Sequence, residues 1–228
     1  MTPEVRWTRS GDVAVAYQVV GAGPRDILIM YSGISHLEVF WDLPENVDNV
    51  TRLSSLGRVI LYDKRGVGLS DRTFDPVTSL EEYTDDAIAV LDAIGSSQAV
   101  LFAWLHEGVT ALAVAARYPD RVEAVVAGEM LATFLSQNGH PWGWDPGWWK
   151  QTAPIIEANW GDAVLLRLLT QGADSPFDAR VIAWWKRLER LSVSPSSAAR
   201  ILGSTLTVDA RPLFGPGPGP GAAVARRA

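Results

Sequence analysis

Apolar and polar side chains alternate from residue 12 to residue 19. Val13, Val15, Tyr17 and Val19 share one side, and Asp12, Ala14, Ala16 and Gln18 the other, the period of a half-buried antiparallel strand. Gly21, Gly23 and Pro24 then predict a turn. Residues 26–31, 58–62, 98–104 and 122–127 are short unbroken apolar runs, as expected of strands covered on both faces. Helical patterns stand between them. Residues 43–56 read as one helix. A clearer one begins at Ser79, which with Glu82 has the spacing of a capping box, carries Leu80, Tyr83, Ala87, Val90, Leu91 and Ile94 on one face, and stops at Gly95. A third places Val109, Leu112, Ala113 and Ala116 inward and ends at Tyr118-Pro119. Strand, helix, strand at this spacing predicts an α/β fold with a parallel sheet and right-handed crossovers.

After Met130 the pattern changes. Seven of the ten tryptophans fall between residues 142 and 185, and helical spacing recurs in Ile182, Trp185, Leu188 and Leu191. The expected organisation is a core over residues 1–133, a Trp-rich helical cap over 134–203, and a tail over 204–228. The last stretch, a Gly-Pro alternation followed by Ala-Ala-Val-Ala-Arg-Arg-Ala, has no residues to build a core and is expected to be disordered.

Composition narrows the chemistry. The formal charge of −6 argues against nucleic acid and anionic membrane as partners. The absence of cysteine removes disulfides and thiolate catalysis and suits a cytoplasmic address. The polar N-terminus has no apolar segment of a secretory signal, and no apolar run reaches the length of a membrane span. No metal site and no cofactor is expected: Gly66-Val-Gly68 and Gly21-Ala-Gly23 are too short for a dinucleotide fingerprint, and His106-Glu107 does not extend to a metalloprotease motif.

Residues 58–72, Arg-Val-Ile-Leu-Tyr-Asp-Lys-Arg-Gly-Val-Gly-Leu-Ser-Asp-Arg, resemble the loop after the fourth strand of α/β-hydrolases. With Ser35-His36-Leu37-Glu38 and Trp41, residues 118–122, and Trp184-Trp185 leading to Glu189-Arg190-Leu191 and Ser194-Pro195, the chain more narrowly resembles the hydrolase-like domains found alone or attached to class III adenylate cyclases in actinobacteria. The resemblance implies a mostly parallel sheet with a helical cap, and a hydrolase of a small apolar ester-like molecule or a non-catalytic ligand-binding or regulatory module.

In that family a G-x-S-x-G turn lifts a serine out of the sheet, followed along the chain by an acid and a histidine. The corresponding stretch here reads Ala103-Trp104-Leu105-His106-Glu107-Gly108. Counting back from Tyr118-Pro119 puts Leu105 at the nucleophile position; a slip of one residue puts His106 there. Glu107 in place of the usual glycine predicts a relaxed or reshaped turn. After Phe214 the sequence becomes the Gly-Pro alternation where two further strands and the histidine are expected, so the expectation is a truncated domain, through a frameshift in a GC-rich gene, and impaired catalysis.

The resemblance gives Gly33, Ile34 and His36 as the oxyanion-side loop, with His36 lining the pocket or capping its own loop. His106 and Glu107 form either a new acid/base pair or a filled pocket mouth, and the His106 N–H is an oxyanion-donor candidate. Glu129, at the end of the fourth run, is a candidate acid toward His36 or His106, or a loop cap. Trp104, Trp142 and Trp144 either line an apolar pocket or form cap core. His140 is read as a surface residue. Ser32, Ser35 and Ser70 lie near the pocket but on no strand-to-helix elbow, and Ser70 with Asp71 is expected to bond within its own loop.

Overall fold

The computed structural model describes residues 2–31, 33–72, 79–136, 140–170 and 177–214. The Gly-Pro stretch, expected to be disordered, lies outside the described residues. Six strands, β1 (Arg6–Ser10), β2 (Val13–Val20), β3 (Asp26–Met30), β4 (Arg58–Asp63), β5 (Ala99–Trp104) and β6 (Val122–Gly128), form one sheet in the order β1-β2-β4-β3-β5-β6. β1 and β2 pair antiparallel, as do β2 and β4, while β4, β3, β5 and β6 run parallel. The three central runs end together, so the loops after β3, β4 and β5 converge at one edge of the sheet, where open α/β sheets place their sites.

Alternation along the strands divides the core. Leu28, Met30, Ile60 and Leu101 face helices α2 (Leu80–Ala93) and α3 (Glu107–Arg117). Ile27, Ile29, Val59 and Leu61 face α1 (Pro44–Ser54) and the turn before it, through Leu37, Phe40 and Val50. The capping box at the start of α2 is formed: the Glu82 N–H donates to Ser79 Oγ at 3.2 Å, and the Ser79 N–H donates to Glu82 Oε2 at 2.8 Å. Gly95, with φ of 67°, follows that helix.

Two elements differ from the sequence expectation. β1 carries no apolar alternation and is a strand through its pairing with β2 across the Gly11 turn, whose φ is 60°. β6 was expected to be covered on both faces; it lies at the sheet edge, half exposed, with Val126 46% exposed. Its apolarity matches its neighbour β5, but among the described residues no strand pairs with its far side.

Past β6 the chain forms helices α4 (Trp148–Ala158), α5 (Val164–Leu169), α6 (Ala179–Ser192) and α7 (Pro195–Leu206). α6 is fastened over the loop after β3, with the Trp184 indole N–H donating to the Val39 carbonyl at 2.8 Å. The buried Glu189 carboxylate accepts the N–H groups of Gly161 and Leu165, both at 2.9 Å. These bonds give the Trp184 and Glu189 motif a mechanical role: it holds the helices above the sheet.

Candidate functional site

β5 ends in a strained turn. Leu105 has φ of 51°, a left-handed conformation that costs a side chain with Cβ about 1–2 kcal/mol. Its N–H donates to the Gly128 carbonyl at 3.0 Å, and α3 starts two residues later. Of the two sequence alignments, this geometry fits the one that puts Leu105 at the elbow; His106 has ordinary right-handed helical angles. Of the relaxed or reshaped turn expected from Glu107, the left-handed Leu105 does not fit the relaxed form. The reason lies below it.

Glu107 turns back under the sheet edge and meets Lys64 from the loop after β4. Lys64 Nζ donates to Glu107 Oε1, and both side chains are buried. The ammonium also sits 4.8 Å from the centre of the Tyr83 ring. Burial works against charge on both groups, but their attraction outweighs it: Lys64 is held above its ordinary range, and Glu107 below its own, with His106 and Thr110 also favouring the carboxylate. A cavity of about 30 Å³ adjoins the pair, lined in part by Tyr83, Thr110, Ser204 and Thr205. Such a space has room for one water or two.

His106 stands between this pair and the cap. Its Nε2 is 3.6 Å from Glu107 Oε1. Burial lowers its pKa to about 4; Glu107 opposes the shift and Lys64 adds to it. The imidazole is therefore neutral near pH 7. It packs against the Gly33 backbone, where an added Cβ would stand 3.4 Å from His106 Cε1 and 3.2 Å from Leu202 Cδ2, and Gly33 has φ of 70°. Outward, ring follows ring: His106 to Phe134 at 6.4 Å, Phe134 to Trp144 at 5.6 Å, and Trp144 to Trp148 at 4.6 Å between centroids. The space above the elbow holds aromatic side chains.

The loop after β3 is fixed by Asp63, the last residue of β4. This fully buried carboxylate accepts Ser35 Oγ–H at 2.6 Å and the N–H groups of Leu37 at 3.1 Å and Leu69 at 2.9 Å. Burial raises its pKa, partly offset by those donors. The Ser35 hydroxyl is thus engaged as a hydrogen-bond donor to a carboxylate. Ser70 donates to the Asp63 carbonyl and accepts the Ala16 N–H at 2.8 Å. Ser32 lies outside the described residues. Ile34 is buried among Val39, Val67, Leu188 and Val193. His36 is buried, and its Nδ1 receives the Val39 N–H at 3.5 Å, a loose cap on its own loop.

The other candidates lie further out. Glu129, with φ of 53°, is exposed at the end of β6; the carboxylate beside His106 is that of Glu107. Trp104 is 45% exposed and covers Gly128, where an added Cβ would come within 2.9 Å of its Nε1. Trp142 is 67% exposed and stacks edge-on with His140 at 5.1 Å, while Trp144 belongs to the ring series. His140 is itself buried, not at the surface, because Trp142 leans over it. Among the described residues no group of three metal-ligating side chains comes together, and no helix is long and apolar enough to cross a membrane.

The Lys64–Glu107 pair had no place in the sequence reading. Its signal was present: Glu107 opens an apolar helix and must be buried, and a buried carboxylate calls for a cation. Lys64 follows the apolar residues of β4 and is one of only three lysines.

The comparisons agree with this architecture. The profile of the alpha/beta hydrolase fold family matches residues 31–206. The chain is 37% identical over 98 residues to a 2-hydroxymuconate semialdehyde hydrolase of Pseudomonas putida, covering 42% of this chain and 35% of that one. It is 30% identical over 117 residues to the human serine hydrolase BPHL, covering 50% and 38%. The chain spans less than half the length of the curated relatives it matches. The crystal structure of the enol-lactonase from Burkholderia xenovorans LB400 superposes with a TM-score of 0.70 at 22% identity, covering 91% of this chain and 75% of that one. With its sheet order, its strained elbow and a family match over most of its length, this chain belongs to the alpha/beta hydrolase fold family.

Proposed function

We propose that this chain takes a small apolar, ester-like molecule among the aromatic side chains above the elbow, by displacing them, and does not cleave it through a covalent acyl-enzyme. The supporting observation is Leu105 at the elbow, where covalent catalysis needs a hydroxyl and a base beside it. The residues nearest it serve other ends. His106 packs between Gly33 and Phe134, Glu107 neutralises Lys64, and Ser35 bonds to Asp63. In this reading Gly33, Ile34, His36 and His106 line the inner wall, and Trp104, Trp142 and Trp144 lie toward its mouth. Residues 1–133 act as the scaffold and residues 134–203 as the cap. The finer likeness to cyclase-linked hydrolase domains gives such a binder a regulatory use in the cytoplasm.

A second reading is favoured by the 3.6 Å approach of His106 to Glu107: slow hydrolysis in which this pair acts on water without a covalent intermediate. A p-nitrophenyl ester assay on the wild type, His106→Ala, His36→Ala and Leu105→Ser separates the two. The binding reading expects no turnover in any of them and a thermal shift with small esters. Wild-type turnover abolished by His106→Ala would establish the second reading and end the first.

A further inference from the structure

Of the rings that touch in series above the elbow, Trp144 is the one placed to move. Phe134 is buried and Trp148 is half-buried at the first turn of α4, whereas Trp144 is 44% exposed. Its centroid lies 5.6 Å from that of Phe134 and 4.6 Å from that of Trp148. The backbone beneath it is fixed. The Trp144 N–H donates to the Phe134 carbonyl, and the Ser136 N–H to the Trp144 carbonyl, both at 2.7 Å. At Gly143 the two segments meet main chain to main chain: an added Cβ would stand 2.4 Å from the Leu135 carbonyl carbon. An exposed ring on a fixed backbone moves by rotation about its own side-chain bonds.

We propose that rotation of the Trp144 indole opens a slot beside Phe134 and Trp148, and that this slot selects aryl esters. The inference rests on the reading that a small apolar, ester-like molecule displaces these side chains, and it names the class. The vacated space has the thickness of one aromatic ring, because an indole filled it. A planar ring that enters it regains contacts with the Phe134 and Trp148 rings, and such contacts contribute beyond the apolar area they bury. A saturated ring of the same carbon count is thicker and has no π face. It would press on Phe134, which is already packed beside His106.

The same indole sets the affinity. While it fills the slot, only the fraction of molecules with the ring turned out can bind, and the apparent affinity falls by that fraction. Trp144 thus tunes affinity, while Phe134 and Trp148 supply the preference for a planar ring.

NMR titration of the isotope-labelled full chain with phenyl acetate and with cyclohexyl acetate tests the slot, read at the tryptophan indole N–H resonances. The two esters differ only in the saturation of the ring. The wild type is expected to bind phenyl acetate about fivefold more tightly than cyclohexyl acetate, with the Trp144 and Trp148 resonances shifted. Trp144→Ala is expected to bind phenyl acetate about tenfold more tightly than the wild type. Cooperative urea unfolding shows that the variant folds, and the comparison of the two esters on the wild type needs no variant. Cyclohexyl acetate bound as well as phenyl acetate, or an affinity for phenyl acetate not raised by Trp144→Ala, overturns the slot and leaves the binding reading standing. So do shifts confined to other tryptophans. Neither ester bound by the wild type or by Trp144→Ala overturns both.

Discussion

Leu105 donates its backbone N–H to the Gly128 carbonyl at 3.0 Å while holding φ at 51°. The bond joins the elbow to the end of β6, so the bend keeps its shape with a side chain that has no use for it. In active hydrolases the strain exposes a nucleophile; here the same conformation is a cost without that return. Strain of this sort persists when the surrounding structure over-determines it, and the buried Lys64–Glu107 pair beneath supplies that constraint.

The strain is measurable with two truncations. Leu105→Ala and Leu105→Gly lose nearly the same side chain, but only glycine adopts φ of 51° without penalty. The glycine variant is expected to be more stable than the alanine variant by about 1 kcal/mol, read from urea midpoints at equal slope. In an unstrained helix start the order reverses. An alanine variant equal to or above glycine would show that the elbow is relaxed in solution.

The parallel strands and α2 were legible because their signals are local: unbroken apolar runs, a Ser79–Glu82 capping box and a terminal Gly95. β1 was not, because Arg6 to Ser10 have no periodicity of their own and become a strand only by pairing with β2. β6 was misread as covered because apolar content reports the neighbour a strand has, not the neighbour it lacks. At the site, the absence of an elbow serine was plain in the sequence. The burial of His106 and His140 was not, because it depends on contacts with Gly33 and Trp142, distant along the chain or set by loop geometry.

Lys64 and Glu107 are expected to behave as a unit. Removing one partner leaves an unpaired buried charge, so Lys64→Met or Glu107→Leu alone is expected to destabilise by about 3–5 kcal/mol. The double variant replaces the pair with apolar groups and is expected to lie within about 2 kcal/mol of the wild type. A double-mutant cycle by urea unfolding measures the coupling. Simple additivity of the two single losses would mean that the ion pair does not form in the folded protein.

Gly68 is held to glycine twice over. Its φ is 58°, and an added Cβ would overlap the Asp63 carboxylate. That carboxylate already holds Ser35, Leu37 and Leu69, so it has no route of retreat that keeps all three bonds. Gly68→Ala is expected to cost about 3 kcal/mol or more, from strain at a left-handed position and a lost buried hydrogen bond. It should also loosen the loop after β3, seen as faster amide exchange at Leu37 and Leu69. A loss below about 0.5 kcal/mol, the range of an ordinary surface change, would contradict the packing of this turn.

The neutral state of His106 makes stability depend on pH in a defined window. Its folded value is about 4, below the ordinary 6.5. Between these values the unfolded chain takes up a proton that the folded chain refuses. Stability therefore falls as pH drops from 6.5 to 4, by up to about 3 kcal/mol. Glu107 contributes lower down, because its folded value lies beneath the ordinary 4.5: its stabilisation is complete above pH 4.5 and is lost as pH falls through the depressed value. Replacing the imidazole with a ring of similar shape, His106→Phe, separates the two. The variant is expected to lose the slope between pH 6.5 and 4 and to keep the loss below it. Urea unfolding at a series of pH values makes the comparison. Parallel curves for the wild type and His106→Phe across that window would show that His106 takes up its proton in the folded chain as readily as in the unfolded one, and that the imidazole is not buried beneath the cap.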